Sequence, residues 1–316
     1  MIVARVRRTL SERCLAGRGD GVLLALSGGP DSAAMLGALS TLAQDLGLRL
    51  WGASINHGLR PDADRDVELA RQQAQRCGVP FFPLALDLPP GADIQARARQ
   101  ARYQALHKQA RALGVQKIAV GHTQDDQAET LLMRQLRGAG LRGLSGINPS
   151  RADGVVRPLI DCQRQAAQQY ARELFGEGIA RDPSNQDPRF ERVRVRTQLL
   201  PALKQEDPRI IAHLADLADE ARQAVNYLDC RAAEELTKLA PYEHRLPLAV
   251  LRELPAALLP ALLRAWLVHA TSEEPSRSHL NQLLACMSGR GEVWLAAGWR
   301  VRVDDRQVLL LEHNPK

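Results

Sequence analysis

Short apolar runs alternate with longer amphipathic stretches through the first half of the chain. Residues 22–26 are continuously apolar and read as a buried strand; 50–55, 81–86, 117–120 and 155–159 read as further strands. Between them, 32–46, 62–77, 94–113 and 125–136 carry apolar residues at helical spacing, with strong helix formers in the remaining positions. Strand and helix in regular succession predict a doubly wound α/β domain on a mostly parallel sheet.

The pattern changes near the turn-rich Asp182-Pro183-Ser184-Asn185. Beyond Pro208 the periodicity is helical over 210–228, 231–239, 248–270 and 276–287. Alternating Val, Trp and Leu over 292–299 and 300–311 then predict a terminal β-hairpin. The expected organisation is an α/β domain over 1–204 and a smaller, mainly helical domain over 205–316.

Composition narrows the class. Apolar residues make up 45% and charged residues 25%, values of an ordinary globular protein rather than a disordered one. No apolar run approaches the roughly 20 residues that span a bilayer, and residues 1–8 enter a charged helical pattern without a signal-peptide stretch. A cytoplasmic protein with no membrane partner is expected. Five cysteines, widely spaced and without a C-x-x-C pair, suggest neither a disulfide framework nor a thiolate metal site.

A net charge of +6 permits a polyanionic partner, and its distribution sharpens the point. Residues 94–124 contain no acid but carry Arg97, Arg99, Arg102, Lys108, Arg111 and Lys117. Residues 131–152 are also acid-free and carry Arg134, Arg137, Arg142 and Arg151, while Arg189, Arg192, Arg194 and Arg196 form a third cluster. Each cluster alone is compatible with a solvated helix face; three of them beside the motifs below favour phosphate contacts.

The first strand runs into Ser27-Gly28-Gly29-Pro30-Asp31-Ser32, which opens a helix. A glycine turn at that junction offers free backbone N–H groups and a helix dipole to an anion, Ser27 and Ser32 add hydroxyls, and Pro30 suits a first helical position. The loop has neither the Lys of G-x-x-x-x-G-K-[ST] nor the spacing of G-x-G-x-x-G. Asp31 would repel bare phosphate, a conflict that Mg²⁺ between them resolves. In isolation the segment also fits an ordinary capped turn.

Gly121-His122-Thr123-Gln124-Asp125-Asp126-Gln127-Ala128-Glu129-Thr130 leaves another strand toward the same sheet edge, where ligands bind in such folds. On the following helix Asp125 and Glu129, and Asp126 and Glu129, fall at spacings that share a face. Such acids complement a helix dipole, bind Mg²⁺ or hold a cationic substrate.

Together these motifs resemble the N-type ATP pyrophosphatase superfamily and, within it, the tRNA(Ile)-lysidine synthetase family. The resemblance adds Asn56-His57-Gly58-Leu59-Arg60, Ala98-Arg99-Gln100-Ala101-Arg102-Tyr103, residues 136–144, Arg157-Pro158-Leu159, and Asp182-Pro183-Ser184-Asn185 with Arg192 and Arg194 downstream. It implies a two-step reaction: ATP adenylates the oxygen on carbon 2 of the wobble cytidine in the CAU anticodon of tRNA(Ile), and free L-lysine then displaces AMP. It further implies ATP binding by Ser27, Gly28, Gly29, Pro30, Asp31 and Ser32, and Mg²⁺ on Asp31 and Asp125. Lysine would be held by Asp126 and Glu129, with His122 at the phosphate or the reacting base. RNA contacts would fall to Arg99, Arg102, Arg137, Arg142, Arg192, Arg194 and Arg196, with further contacts from the second domain. Ser54, Gln100, Thr123 and Val193 depart from the residues usual in the family. The chain length resembles that of its compact members, which suggests a homodimer. Rival readings are a tRNA thiolase, which would need paired cysteines, an amidating synthetase, which would need a glutaminase domain, and a non-catalytic RNA-binding module.

Overall fold

The computed structural model describes residues 1–13, 15–56, 63–86, 94–180, 187–239, 244–295 and 298–312. His57 to Arg60, the stretch 182–185 and Cys14 lie outside the described residues. The first part of the chain runs α1 (Ile2–Glu12), β1 (Gly21–Ala25), α2 (Pro30–Leu46), β2 (Arg49–Asn56), α3 (Ala63–Arg76), β3 (Phe81–Ala85), α4 (Ile94–Ala112) and β4 (Lys117–Ala119). It continues through α5 (Gln124–Leu136), α6 (Leu141–Leu144), β5 (Val155–Val156), α7 (Arg164–Phe175), α8 (Glu191–Arg194), a π-helical turn Val195–Leu199 and α9 (Leu200–Glu206).

All five strands are parallel, in the order β3-β2-β1-β4-β5. β1 is apolar at every position because both of its faces are covered, as parallel sheets require. Val22 and Leu24 join Ala34, Leu36, Leu39, Ala167 and Ala171 in one layer with α1, α2, α3 and α7. Leu23 points the other way, to Leu106, Ala110 and Ile118 in a layer with α4. Since β1 pairs with both β2 and β4, the order reverses beside it, and a crevice opens at the C-terminal ends of β1 and β4. The glycine loop and the Gly121 segment leave from those two ends.

Two helical segments escaped the sequence reading. α7 carries its buried face as Ala167, Ala171 and Phe175, a four-residue rhythm in small side chains. The segment from α8 to α9 carries Val195 and Leu200, which pack on Ala128, Leu131 and Leu132 of α5. β5 is shorter than expected, two residues rather than five.

The remaining elements are α10 (Ile210–Lys238), β6 (Arg245–Pro247), α11 (Leu248–Glu253), α12 (Leu259–Thr271), α13 (Arg277–Cys286), β7 (Gly291–Trp294), β8 (Trp299–Val303) and β9 (Gln307–Glu312). The two helices expected over 210–239 are one, because no Gly or Pro interrupts them. The single helix expected over 248–270 is two, broken before Pro255, whose ring disfavours a helical residue ahead of it. The expected hairpin is part of a four-stranded antiparallel sheet, β6-β9-β8-β7, which buries Val293, Val301, Val303, Val308 and Leu310 against Leu262, Trp266 and Leu283.

The chain divides into two compact units, Met1–Asp219 and Glu220–Lys316, the division falling inside α10. Residues 220–316 contain twelve Lys or Arg and twelve Asp or Glu, so the whole excess of +6 belongs to residues 1–219. No helix among the described residues is long and apolar enough to cross a membrane. Leu36, on the buried face of α2, is fully buried. Leu36→Ala is expected to lower unfolding free energy in urea titration by about 2–5 kcal/mol, the usual range for a buried large-to-small change.

Candidate functional site

The turn between β1 and α2 is held from below. Gly28 has φ +73, and a Cβ there would stand 2.6 Å from the carbonyl oxygen of Asp66, so no other residue fits without displacing α3. Its carbonyl accepts from Gln73 Nε2 and from the Ala180 N–H, each at 2.9 Å. Ser32 Oγ accepts the Ser27 N–H at 3.1 Å and donates to the Gly29 carbonyl at 3.0 Å. Gly29 is the N-cap of α2 and Pro30 its first residue, so the amides of the first turn have no helical partner of their own. Gly121 comes so close from β4 that a Cβ would lie 3.1 Å from the Asp31 carbonyl. The two motifs therefore meet at one crevice.

Across that crevice stands an ionic cluster. Glu129, with no exposed surface, accepts from Arg164 at 2.6 Å, from Arg192 at 2.8 Å and from Arg196 at 2.7 Å. Asp126 accepts from Arg164 at 2.8 Å and Arg192 at 2.9 Å through one oxygen; its other oxygen takes the Thr123 N–H and hydroxyl at 2.7 and 2.9 Å. Thr123, a departure from the family pattern, is thus a working cap. Burial alone would raise both carboxyls, but the guanidiniums outweigh it and hold them below their ordinary range.

Asp31 is treated differently. Arg164 approaches it only to 3.8 Å, its Oδ1 is buried without a hydrogen-bond partner, and burial pushes its pKa up to about 6 despite that cation. A recessed carboxylate so poorly matched fits a cation that arrives with the ligand. Asp125 spends one oxygen on the N–H of Arg164, at 2.8 Å, capping α7. Among the described residues no group of three or more His, Cys, Asp or Glu could cage a metal. Mg²⁺ needs none, since it commonly takes one or two carboxylates together with substrate phosphates and water.

His122 accepts at Nδ1 from Arg157 Nε at 3.1 Å, and burial, with Arg157, Arg192 and Arg99 nearby, lowers its pKa to about 4. Of the arginines expected to meet RNA, Arg99, Arg102, Arg137 and Arg142 are exposed; Arg99 lies over the Tyr103 ring at 5.3 Å and Arg137 pairs with Glu191. Arg192 and Arg196 turn inward to the cluster, and Arg194 donates to the carbonyls of Pro188 and Arg189 at 3.0 Å. Arg164, which bonds both Asp126 and Glu129, was not singled out in the sequence, and Arg157 entered only as part of the Arg157-Pro158-Leu159 motif, with no role of its own.

Residues 3–203 match the family model of the PP-loop domain, and residues 246–308 that of the TilS substrate binding domain. The tRNA(Ile)-lysidine synthase of Bordetella bronchiseptica is 36% identical over 302 residues, covering 90% of this chain and 88% of that protein. The chain belongs to the tRNA(Ile)-lysidine synthase family. The member from Solibacter usitatus is 40% identical over 225 residues, 69% of this chain, and this chain spans only 50% of its length. Among solved structures, the U34-tRNA thiolase NcsA from Methanococcus maripaludis aligns with a TM-score of 0.59 at 17% identity, covering 69% of this chain and 77% of that one. That likeness establishes the shared fold. Family membership makes residues 3–203 a PP-loop ATP-binding domain.

Asp31 gives this site a stability signature. Its folded pKa lies above the unfolded one, so the stability it contributes is present at low pH and is lost as pH rises through about 6. Asp31→Asn is therefore expected to raise the melting temperature of the nucleotide-free protein at about pH 7.5, with the gain shrinking as pH falls and vanishing only below the ordinary carboxyl value of 3.8. Thermal scans across that window check it; a loss of stability at the higher pH would contradict the burial argument.

Proposed function

We propose that this chain ligates free L-lysine to carbon 2 of the wobble cytidine in the CAU anticodon of tRNA(Ile), consuming ATP and releasing AMP and pyrophosphate. The observation that carries the reading is the partnerless Asp31 Oδ1, set in the PP-loop where the ends of β1 and β4 meet, in a chain that also matches the TilS substrate binding domain. In the first step the oxygen on carbon 2 attacks the α-phosphorus and the bond to pyrophosphate breaks. In the second an amine of lysine attacks carbon 2, loses a proton, and the bond to AMP breaks. Both steps develop charge on oxygen, so fixed donors at the phosphate contribute most.

In this reading the first-turn amides of α2, the Gly28 and Gly29 backbone, and the Ser27 and Ser32 hydroxyls cradle the triphosphate. Asp31 and Asp125 would hold Mg²⁺, which when bound neutralises the leaving pyrophosphate. Asp126 and Glu129 recognise the lysine ammonium. Because Arg164, Arg192 and Arg196 already bond these carboxylates, lysine has to share them or displace a guanidinium. Arg99, Arg102, Arg137 and Arg142 supply exposed cations for RNA phosphate, and a protein of this kind works in the cytoplasm, where tRNA and free lysine are present. The suggested homodimer would be read from solution mass.

Incubation with ATP, Mg²⁺, labelled lysine and a tRNA(Ile) transcript carrying CAU is expected to place label in the RNA with matching AMP. RNA affinity without AMP release would leave only a binding module. Glu129→Gln is expected to raise the KM for lysine about tenfold or more and that for ATP by clearly less, since the ammonium loses a charged contact directly whereas the phosphate loop is disturbed only through Arg164. Equal changes in both constants would remove Glu129 from lysine recognition.

A further inference from the structure

Arg157 is an arginine buried without an ion pair in any of the contacts described for it. It is 3% exposed, and its environment leaves the side chain little freedom. Nε donates to His122 Nδ1 at 3.1 Å, Nη1 donates to the Asn148 carbonyl, and the side chain also bonds Tyr103. Its own backbone N–H donates to the Pro149 carbonyl at 2.9 Å, fixing the stem. These partners are neutral, whereas a buried guanidinium that serves stability alone is usually matched by a carboxylate.

A guanidinium does not lose its proton in proteins, so Arg157 Nε is a donor at every working pH. The ring nitrogen facing it must then be bare, and the imidazole proton resides on Nε2. We infer that Arg157 is a positioning residue for this site: by donating to Nδ1 it locks His122 as a neutral imidazole that offers one Nε2–H donor, and no charge, to a reacting oxygen. The inference rests on the lysidine-forming reading only for the identity of that oxygen, on phosphate or on cytosine.

The surroundings agree. The charged groups facing His122 are Asp126 from α5, Arg99 from α4, Arg192 from α8 and Arg157 itself. Three cations oppose one acid, and that acid is already bonded by Arg164 and Arg192. A proton added to His122 would have no partner of its own, and burial opposes it as well. His122 thereby acts as a fixed dipole toward developing negative charge and hands no proton to a leaving group.

Imidazole-nitrogen NMR on the full wild-type chain, with the His122 signals assigned through His122→Gln, reads the tautomer directly. Nε2 is expected to carry the proton, with no charged ring between about pH 6 and pH 8. A proton on Nδ1, or a charged ring at about pH 7, would overturn the proposal whether or not the enzyme forms lysidine. Kinetics supply the second arm. Arg157→Lys keeps the positive charge and loses the Nε donor. It is expected to lower kcat for lysine incorporation about 10- to 100-fold, the scale of one hydrogen bond to a charged group, with KM for ATP within about twofold. In the His122→Gln background the same substitution is expected to change kcat by less than about twofold. Full additivity of the two losses would reduce Arg157 to packing and sink the idea. Should Arg157→Lys fail to fold, the wild-type tautomer decides alone. A wild-type chain that shows the expected tautomer but incorporates no lysine would count against the assigned reaction and leave the role of Arg157 toward His122 standing.

Discussion

Glu129, without exposed surface, sits under three guanidiniums, and the crevice depends on that contact. Arg164 comes from the first residue of α7, Arg192 from α8 and Arg196 from the π-helical turn after it. One carboxylate therefore fastens two separate segments to α5. Apolar packing of Val195 and Leu200 on Ala128 and Leu131 brings the last of these segments close; the ion pairs fix its rotation. Buried ion clusters contribute little net stability compared with apolar residues of the same size, whereas losing one member is costly. That asymmetry favours a role in orientation, since a well-packed Leu would hold the helices together equally well but would not hold Arg164 and Arg196, the cations that act on Asp31, in place.

The distribution of charge separates two uses of arginine within one domain. Arg164, Arg192 and Arg196 are consumed internally, each matched to a carboxylate, and offer little to an RNA backbone. Arg99, Arg102, Arg137 and Arg142 face solvent, in the unit that holds the entire net positive charge. Residues 220–316 balance to zero, so that unit adds no net long-range attraction for a polyanion, unlike the first unit. In the second unit, Trp294 is more than half exposed and carries Arg300 over its ring at 5.2 Å.

Much of the fold was legible because parallel strands buried on both faces leave continuous apolar runs, and 22–26 is such a run. The glycine loop was legible because Gly28 and Pro30 each satisfy a backbone demand that few other residues meet. α7 was harder to see: Ala167 and Ala171 bury almost no side chain, so its apolar stripe is faint. The cluster partners were legible as charges but not as pairs. Arg192 and Arg196 have the same spacing whether they face RNA or Glu129, and only the packing of Val193 and Val195 to the inside decides which way they turn. Thr123 looked like a departure from pattern; its hydroxyl turns out to satisfy Asp126.

Asp31 and His122 complete the argument, because they are mistuned in opposite directions. Burial raises the carboxyl toward about 6 and lowers the imidazole to about 4, so each is driven toward its uncharged form. A site built for stability alone would have paired them or replaced them. A ligand that brings a cation and a polyanion together relieves both at once: the cation gives the Asp31 carboxylate the partner its Oδ1 lacks, and the anion gives the Nε2–H of His122 an acceptor. A bare anion would leave Asp31 repelling it, and a bare cation would add to the arginines that already crowd the crevice. Under the proposed function, these two residues would favour a metal-bound nucleotide over either component alone, through the energetic cost each group bears while the ligand is absent.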